Sequence, residues 1–436
     1  MSLTQQKLSQ SISSLLAHAG RLSIILPLLA GNMVQAGNVE QDQARRIYDR
    51  LVGTPPSNSM LTDMETLIVD GGGSNTSLEA AAALAMDDPS DPSFYNVTLK
   101  NYIAPWTNED QSVFVDLNDY TATAIGIIRD NVDFREILSG DILYVGGNNL
   151  GISNYSHTDN NHYAELEALG PVAGDLSDDT ILVRTQQSSI PGGLPAAATA
   201  GIMTTRAAAQ AFFTDGTNRS MFRFTFMNHM CTDLEPLKDI SRVPDRVRQD
   251  VSRSPGGDSR IFMFSCVACH AGMDGLGGAY AKYNFNTDTN RLDYAMPETP
   301  NDTSLNGYSA NGISNKYHNN ADNFKPGFIA TDDSWVNYWR NGQNKLLGWS
   351  SVPAAGITID SRGHANGNGA KSMGAELANS QAFASCQVKK AFKAVCLRNP
   401  EDYAADRLRV SEITADFMNN YNMKTVFGKV AAYCSQ

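Results

Sequence analysis

The feature that most restricts what this chain can fold into is a short motif near its middle. Residues 266–270 read Cys-Val-Ala-Cys-His. A chain with this number of cysteines and histidines would contain that order by chance only about 0.001 times. Two thiols two residues apart, followed at once by a histidine, form the attachment site of a c-type haem, in which the thiols add to the vinyl groups as thioethers. We expect one covalent haem c, anchored by Cys266 and Cys269, with His270 as the proximal iron ligand.

Two other chemistries use closely spaced cysteines, and both fit this sequence less well. A thioredoxin-like redox pair belongs in a βαβ setting, which the surrounding residues do not suggest. A structural zinc site needs a second C-x-x-C pair, and the chain has none.

The first 36 residues have the layout of a secretory signal. Lys7 and Arg21 are present with no acidic residue, an apolar run covers residues 22–30, and small residues precede Gly37. We predict cleavage after Ala36 and a periplasmic or cell-surface location. A buried first helix is the alternative. The run is too short to span a bilayer, and no later run approaches about 18 apolar residues, so the mature protein should not span a membrane.

The composition narrows the class of protein further. With 34 Lys plus Arg against 46 Asp plus Glu, the formal net charge is −12. No basic cluster appears, which argues against a nucleic-acid partner. The hydrophobic fraction of 42% supports a packed core, and 436 residues suggest two or three packed units.

The hydrophobic periodicity indicates a mainly α fold with long irregular loops. Helices are expected over residues 41–51, 78–86, 116–130, 133–138, 204–213, 219–230, 373–396 and 404–419. Short strands are expected at 142–145 and 181–183, and irregular stretches at 301–326 and 361–369. This predicts a helical N-terminal domain (37–200), a haem-binding region (201–330) and a C-terminal helical module (331–436).

The four cysteines outside the motif suit an oxidising compartment. If Cys386 and Cys396 share a helix, their ten-residue separation places them roughly 15 Å apart, beyond disulfide reach. One of them should therefore pair with Cys434 and the other with Cys231, which would tie the C-terminal module to the haem region. Four free buried thiols are the alternative.

The second axial ligand of the haem is less well defined. Met273 follows His270 by three residues, so on a continuing helix it should stay on the proximal side and serve in packing. The distal candidates are Met373, which we prefer because it stands where a loop meets a helix, and three histidines, His229, His318 and His364.

Other residues have a functional and a structural interpretation. Trp335 and Trp339 form either an aromatic wall beside the haem or the core-facing stripe of a helix that begins at Asp332–Asp333. Gly275 and Gly277 would supply tight turning after the motif. His157 and His162 could bind a metal, although histidines on such a polar loop are usually solvated.

The segment 266–285 resembles the haem-motif region of a family of uncharacterised planctomycete-type cytochrome-like proteins, which are exported by Gram-negative bacteria. The likeness rests on the haem motif, on Met273-Asp274 and on Gly277. Weaker likeness extends over segments 134–145, 201–231, 377–396 and 403–417. On this resemblance we expect the protein to lack the separate N-terminal cytochrome domain of many relatives, and His229 stands where the family more often has an aliphatic residue. The resemblance implies an exported bacterial haem protein.

These inferences lead to an exported monohaem c-type cytochrome that transfers single electrons to or from a redox partner protein. The first alternative is a haem enzyme, peroxidase- or oxygenase-like, with an open distal iron position, since a bare carrier needs far fewer residues. The second is a haem-bearing subunit of a surface assembly.

Overall fold

The computed structural model describes residues 38–213, 218–242, 244, 246–247, 259–295, 312–314, 328 and 330–436. Sixteen α-helices, together with shorter 3-10 and π-helical segments, make the described chain 55% helical. The prediction of a mainly α fold is confirmed. The helices are α1 Val39–Leu51, α2 Asn58–Asp70, α3 Asn75–Met86, α4 Lys100–Ile103, α5 Asp119–Arg129, α6 Glu136–Ser139, α7 Asn161–Ala168, α8 Gly170–Ala173, α9 Arg206–Phe212, α10 Arg219–Met230, α11 Ser259–Ile261, α12 Val267–Gly277, α13 Gly369–Ala378, α14 Gln381–Cys396, α15 Ala404–Asn420 and α16 Met423–Cys434.

Three small antiparallel sheets accompany the helices in the described residues. Strand β1 (Leu143–Gly146) pairs with β2 (Leu182–Thr185), and β3 (Tyr283–Asn286) pairs with β4 (Arg291–Tyr294). In the third sheet, β7 (Ala365–Asn368) lies between β5 (Ser334–Asn337) and β6 (Thr358–Ile359). The two short strands expected from the sequence are β1 and β2, and they pair with each other.

Helix α5 lies at the centre of the hydrophobic core, and all eleven of its residues are buried. Small residues allow the neighbouring elements to approach it closely. At Gly126, an added Cβ would lie 2.2 Å from a ring carbon of Tyr144 on β1. Asn118 caps the helix by accepting the backbone N–H of Thr121, as short polar side chains do at helix starts.

Residues 38–436 form a single compact unit. Helix α16, near the end of the chain, packs against α1 and α3, and α14 packs against α10, α15 and α16. One continuous core therefore includes residues from all three of the segments predicted for the mature chain. The predicted signal peptide (1–36) lies outside the described residues. Among the residues described, no helix is long and apolar enough to cross a membrane.

Several predicted helices are shorter or begin elsewhere. The segment 373–396 is two helices, because the chain breaks at Asn379 and Ser380, and Ser380 caps α14. Helix α3 begins at Asn75, three residues earlier than expected: Ser74 caps it, and its hydroxyl accepts the N–H of Ser77. The predicted loop 361–369 includes β7, and the irregular stretch 301–326 lies outside the described residues apart from 312–314.

Two disulfides join the four cysteines outside the motif. Cys231 pairs with Cys386 (Cα–Cα 5.2 Å), and Cys396 pairs with Cys434 (Cα–Cα 5.6 Å). Cys386 and Cys396 both lie on α14, so the prediction that they do not pair is confirmed. Only the first bond ties the C-terminal module to the predicted haem region, since the second lies within that module.

Candidate haem-attachment site

The haem motif stands at the start of a helix whose remainder is buried. A π-helical turn (Phe262–Cys266) runs directly into α12, so Cys266 immediately precedes the helix and Cys269 lies in its first turn. Side chains three residues apart are neighbours on a helix surface, which brings the two thiols together. Residues 266–270 are half-buried, whereas every residue from Ala271 to the end of α12 is buried. The motif is thus accessible, and the helix that carries it is fixed in the core.

His270 forms a hydrogen bond with a buried carboxylate one turn along the helix. Its Nδ1 lies 3.2 Å from Oδ1 of Asp274, whose side chain is completely buried. Arg219, the first residue of α10, forms a fork on the same carboxylate through Nε (3.0 Å) and Nη2 (3.1 Å). An ionised carboxylate only accepts hydrogen bonds, so Nδ1 of His270 carries the proton and the lone pair stays on Nε2. Nε2 is therefore the nitrogen available to an electrophile.

Two glycines of α12 allow neighbouring residues to approach the helix closely. Gly272 packs on the indole of Trp339, and Gly275 faces the backbone carbonyl of Val336 on β5. On an α-helix, Gly275 lies about 180° around the axis from Cys266. Gly275 therefore allows close packing on the side of α12 away from Cys266, and Gly272 allows it on a neighbouring face. The expectation of tight turning at Gly275 and Gly277 is wrong, since both lie within α12.

Trp335 and Trp339 do not form a helical stripe. Trp335 lies on β5, and Trp339 lies on the short 3-10 helix Tyr338–Arg340. Asp332 and Asp333 precede a strand rather than a helix, because β5 pairs with β7 immediately after them. Both indoles are buried in the main core, and Trp339 lies behind the helix that carries the motif.

The two motif cysteines are free thiols in this structure. Burial raises the pKa of the Cys269 thiol, an effect that Lys238 opposes. The thiol therefore stays protonated at neutral pH. Its Sγ lies 3.8 Å from the carbonyl oxygen of Leu234, in the segment that follows α10. That segment is joined to the motif helix, because the N–H of Asp239 donates to the carbonyl of Ala268 at 2.9 Å.

Aromatic residues border the motif on its N-terminal side. The ring of Phe262 is buried and meets the His270 ring edge-on, with centroids 5.4 Å apart. Phe264, two residues before Cys266, is 93% exposed. Cys266 and Val267 border a small hydrophobic cluster formed by Phe262 and Val247, separate from the main core.

The candidates for a distal iron ligand are dispersed. Met373 lies in the second turn of α13, not at its junction with a loop, and is fully buried in the main core. His229 is fully buried on α10, and its Nε2 lies 3.0 Å from the hydroxyl of Tyr120. His364 pairs with Asp360 at 3.1 Å. His318 lies outside the described residues.

The remaining candidates have structural roles. Met273 is buried in the main core, as expected for a packing residue. Both ring nitrogens of His162 are bonded, Nε2 to the N–H of Gly146 and Nδ1 to the carbonyl of Ser153. His157 is half-buried against the ring of Tyr155. Across the described residues, no group of three or more His, Cys, Asp or Glu side chains could hold a metal ion.

Asp274 and Arg219 were not identified as site residues from the sequence. The spacing of His270 and Asp274 is a usable signal, because residues four apart meet on one helix face. Arg219 precedes Asp274 by 55 residues, and only the packing of α10 against α12 brings them together.

Comparisons with known proteins add no family to this description. No protein-family model, no curated protein and no solved structure matches the chain.

Proposed function

We propose that this protein is an exported monohaem c-type cytochrome that transfers single electrons, working in the periplasm or at the cell surface with a redox partner protein. One observation carries the proposal. The only cysteines left unpaired among those described are the two of the Cys-Val-Ala-Cys-His motif, and they stand together at the accessible start of α12. Disulfides form in an oxidising compartment, so the four paired cysteines have a structural role there. The two unpaired cysteines of the motif are available for a different chemistry.

The residues around the motif fit a covalently bound haem. Cys266 and Cys269 would hold the porphyrin through thioethers, and His270 would present Nε2 to the iron because its Nδ1 is bonded to Asp274. Haem iron alternates between the ferric and ferrous states, which is the chemistry of one-electron transfer.

A haem enzyme with an open distal iron position is the second candidate function. It is favoured over the electron carrier by one observation, which is that three of the residues considered as distal iron ligands already have other contacts in the fold. Met373 and His229 are fully buried, and His229 is bonded to Tyr120. His364 is paired with Asp360. These residues hold positions in the fold that do not depend on iron.

A haem stain of denatured protein tests the proposal. The chain is expressed with its N-terminal segment in a bacterium that has a haem c maturation system, and the secreted fraction is stained after denaturing electrophoresis. We expect haem to stay with the polypeptide and to be lost or greatly reduced in Cys269→Ala. The control variant Cys396→Ala/Cys434→Ala removes two cysteines outside the motif and should keep the stain. Wild-type protein without covalent haem would refute the proposal.

An absorption spectrum of the same protein separates the two candidates. A low-spin reduced spectrum that carbon monoxide does not alter supports the electron carrier. High-spin iron that binds carbon monoxide supports the enzyme.

A further inference from the structure

The bond between His270 and Asp274 has a second consequence, which rests on the function proposed above. Asp274 Oδ1 receives both the Nδ1–H of His270 and the Nε–H of Arg219, and Oδ2 receives the Nη2–H of Arg219. The carboxylate has no exposed surface, and the His270 side chain is 20% exposed. Water therefore screens their interaction only weakly, so a charge at Asp274 acts strongly on the imidazole.

We propose that Asp274 is a positioning residue that lowers the reduction potential of the haem bound at His270, and that Arg219 limits this effect. A carboxylate that accepts the Nδ1–H of a ligating histidine makes the ring a stronger electron donor through Nε2. A stronger donor stabilises ferric iron more than ferrous iron, so the reduction potential falls.

Arg219 acts on the same carboxylate in the opposite direction. Its guanidinium draws the negative charge of Asp274 toward α10 through two charge-assisted hydrogen bonds. Less charge then remains to accept the Nδ1–H of His270. Removing the guanidinium should strengthen the bond between His270 and Asp274 and lower the potential further. The two residues thus have opposite effects on one measurable quantity, which a purely structural role would not produce.

The chain contains a matched pair that lacks the histidine. Asp406 on α15 is also buried and is bonded by a fork from Arg398, through Nε (2.7 Å) and Nη2 (2.9 Å). Its third hydrogen bond comes from the hydroxyl of Tyr433 rather than from an imidazole. Asp406→Asn therefore removes the same kind of buried charge and the same kind of ion pair without touching the haem motif.

Potentiometric titration of the haem-loaded protein tests the proposal. Asp274→Asn should raise the equilibrium constant for reduction about tenfold, which for a one-electron couple corresponds to about 59 mV. Asp406→Asn should leave the potential unchanged. An Asp274→Asn protein that binds covalent haem at the wild-type potential would overturn the proposal.

A second variant keeps the test decisive if Asp274→Asn does not fold. Arg219→Gln should lower the potential, whereas Arg223→Gln, which removes an exposed arginine from the same helix, should not. An unchanged or raised potential in Arg219→Gln would also overturn the proposal. Failure of the haem stain in wild-type protein would refute the proposed function instead, so the two failures are distinct.

Discussion

Gly272 and Trp339 face each other so closely that a Cβ atom at residue 272 would lie 2.1 Å from Nε1 of the indole. The Trp339 side chain is 1% exposed and packs in the main core. Position 272 therefore accepts only glycine unless α12 moves away from the 3-10 helix that carries Trp339.

The first prediction follows from this contact. Gly272→Ala should lower the free energy of unfolding by about 2–3 kcal/mol, because overpacking forces side chains and backbone to shift. Denaturant titration followed by circular dichroism measures the change in the free energy of unfolding. Gly428→Ala is the control: Gly428 lies inside α16, where the nearest atom to a new Cβ would be 3.8 Å away. Alanine there should stabilise the helix by up to about 1 kcal/mol. Equal destabilisation by both variants would contradict this account of Gly272.

The second prediction concerns Asp119, which caps a helix far away in sequence. Its buried carboxylate accepts the backbone N–H groups of Arg206 (2.6 Å) and Ala207 (3.0 Å) at the start of α9, and the Tyr155 hydroxyl at 3.3 Å. Asp119→Ala leaves these buried donors unpaired, which should cost about 3 kcal/mol in unfolding free energy. The exposed Asp116 is the control, and its alanine variant should change stability by less than about 0.5 kcal/mol. A loss in Asp119→Ala no larger than the control would refute the capping role.

The third prediction concerns the disulfides. Peptide mapping without reduction should recover one peptide pair joined through Cys231 and Cys386 and another joined through Cys396 and Cys434. Recovery of a Cys386–Cys396 peptide would mean that α14 is wrongly placed. Opening the second bond, with Cys396→Ala/Cys434→Ala, should cost up to about 4 kcal/mol in the chain-entropy model, because it closes a loop of 38 residues.

The fourth prediction concerns pH. Burial, together with the nearby Lys390, lowers the pKa of His229 well below its ordinary value of 6.5. Below pH 6.5 the unfolded chain therefore binds a proton at His229 that the folded chain does not. This contribution to stability is present above pH 6.5 and is lost as the pH falls, by up to about 1.4 kcal/mol per pH unit.

Unfolding titrations between pH 5 and pH 7 measure this slope. His229→Gln should flatten it relative to wild type. The control Tyr120→Phe removes the hydroxyl that His229 contacts but leaves the imidazole in place, so it should keep the slope. Identical slopes in wild type and His229→Gln would show that His229 is not the group responsible.

The sequence predicts those parts of the fold in which local pattern and tertiary packing agree. Helix α10 spans Arg219–Met230, as expected from its periodicity. The segment around Trp335 was misjudged because β5 is buried on both faces: Trp335 and Asn337 are buried on one face, and Val336 is buried on the other. A strand buried on both faces lacks the alternation that identifies strands, and two tryptophans four residues apart then imitate a helix.

The candidate site likewise has residues that the sequence identifies and residues that only the tertiary structure reveals. The motif itself is local, so Cys266, Cys269 and His270 can be identified from five consecutive residues. The groups that orient His270 are harder to identify from the sequence. Asp274 could be inferred from its helical spacing, but Arg219 reaches the site only because α10 crosses α12. Sequence patterns identify ligands more readily than the residues that tune them, since the latter are brought in by tertiary packing.

The burial of every residue of α5 has a consequence for how this protein unfolds. Every residue of that helix is buried, with Arg129 the most exposed at 8%, and its neighbours come from several distant parts of the chain, among them β1, α9 and α16. No small local fluctuation exposes its peptide groups, so its amide hydrogens should exchange with deuterium only when the whole unit unfolds. The exchange rates of α5 would therefore report the global stability of residues 38–436. Amides that exchange faster elsewhere would mark the segments that open on their own.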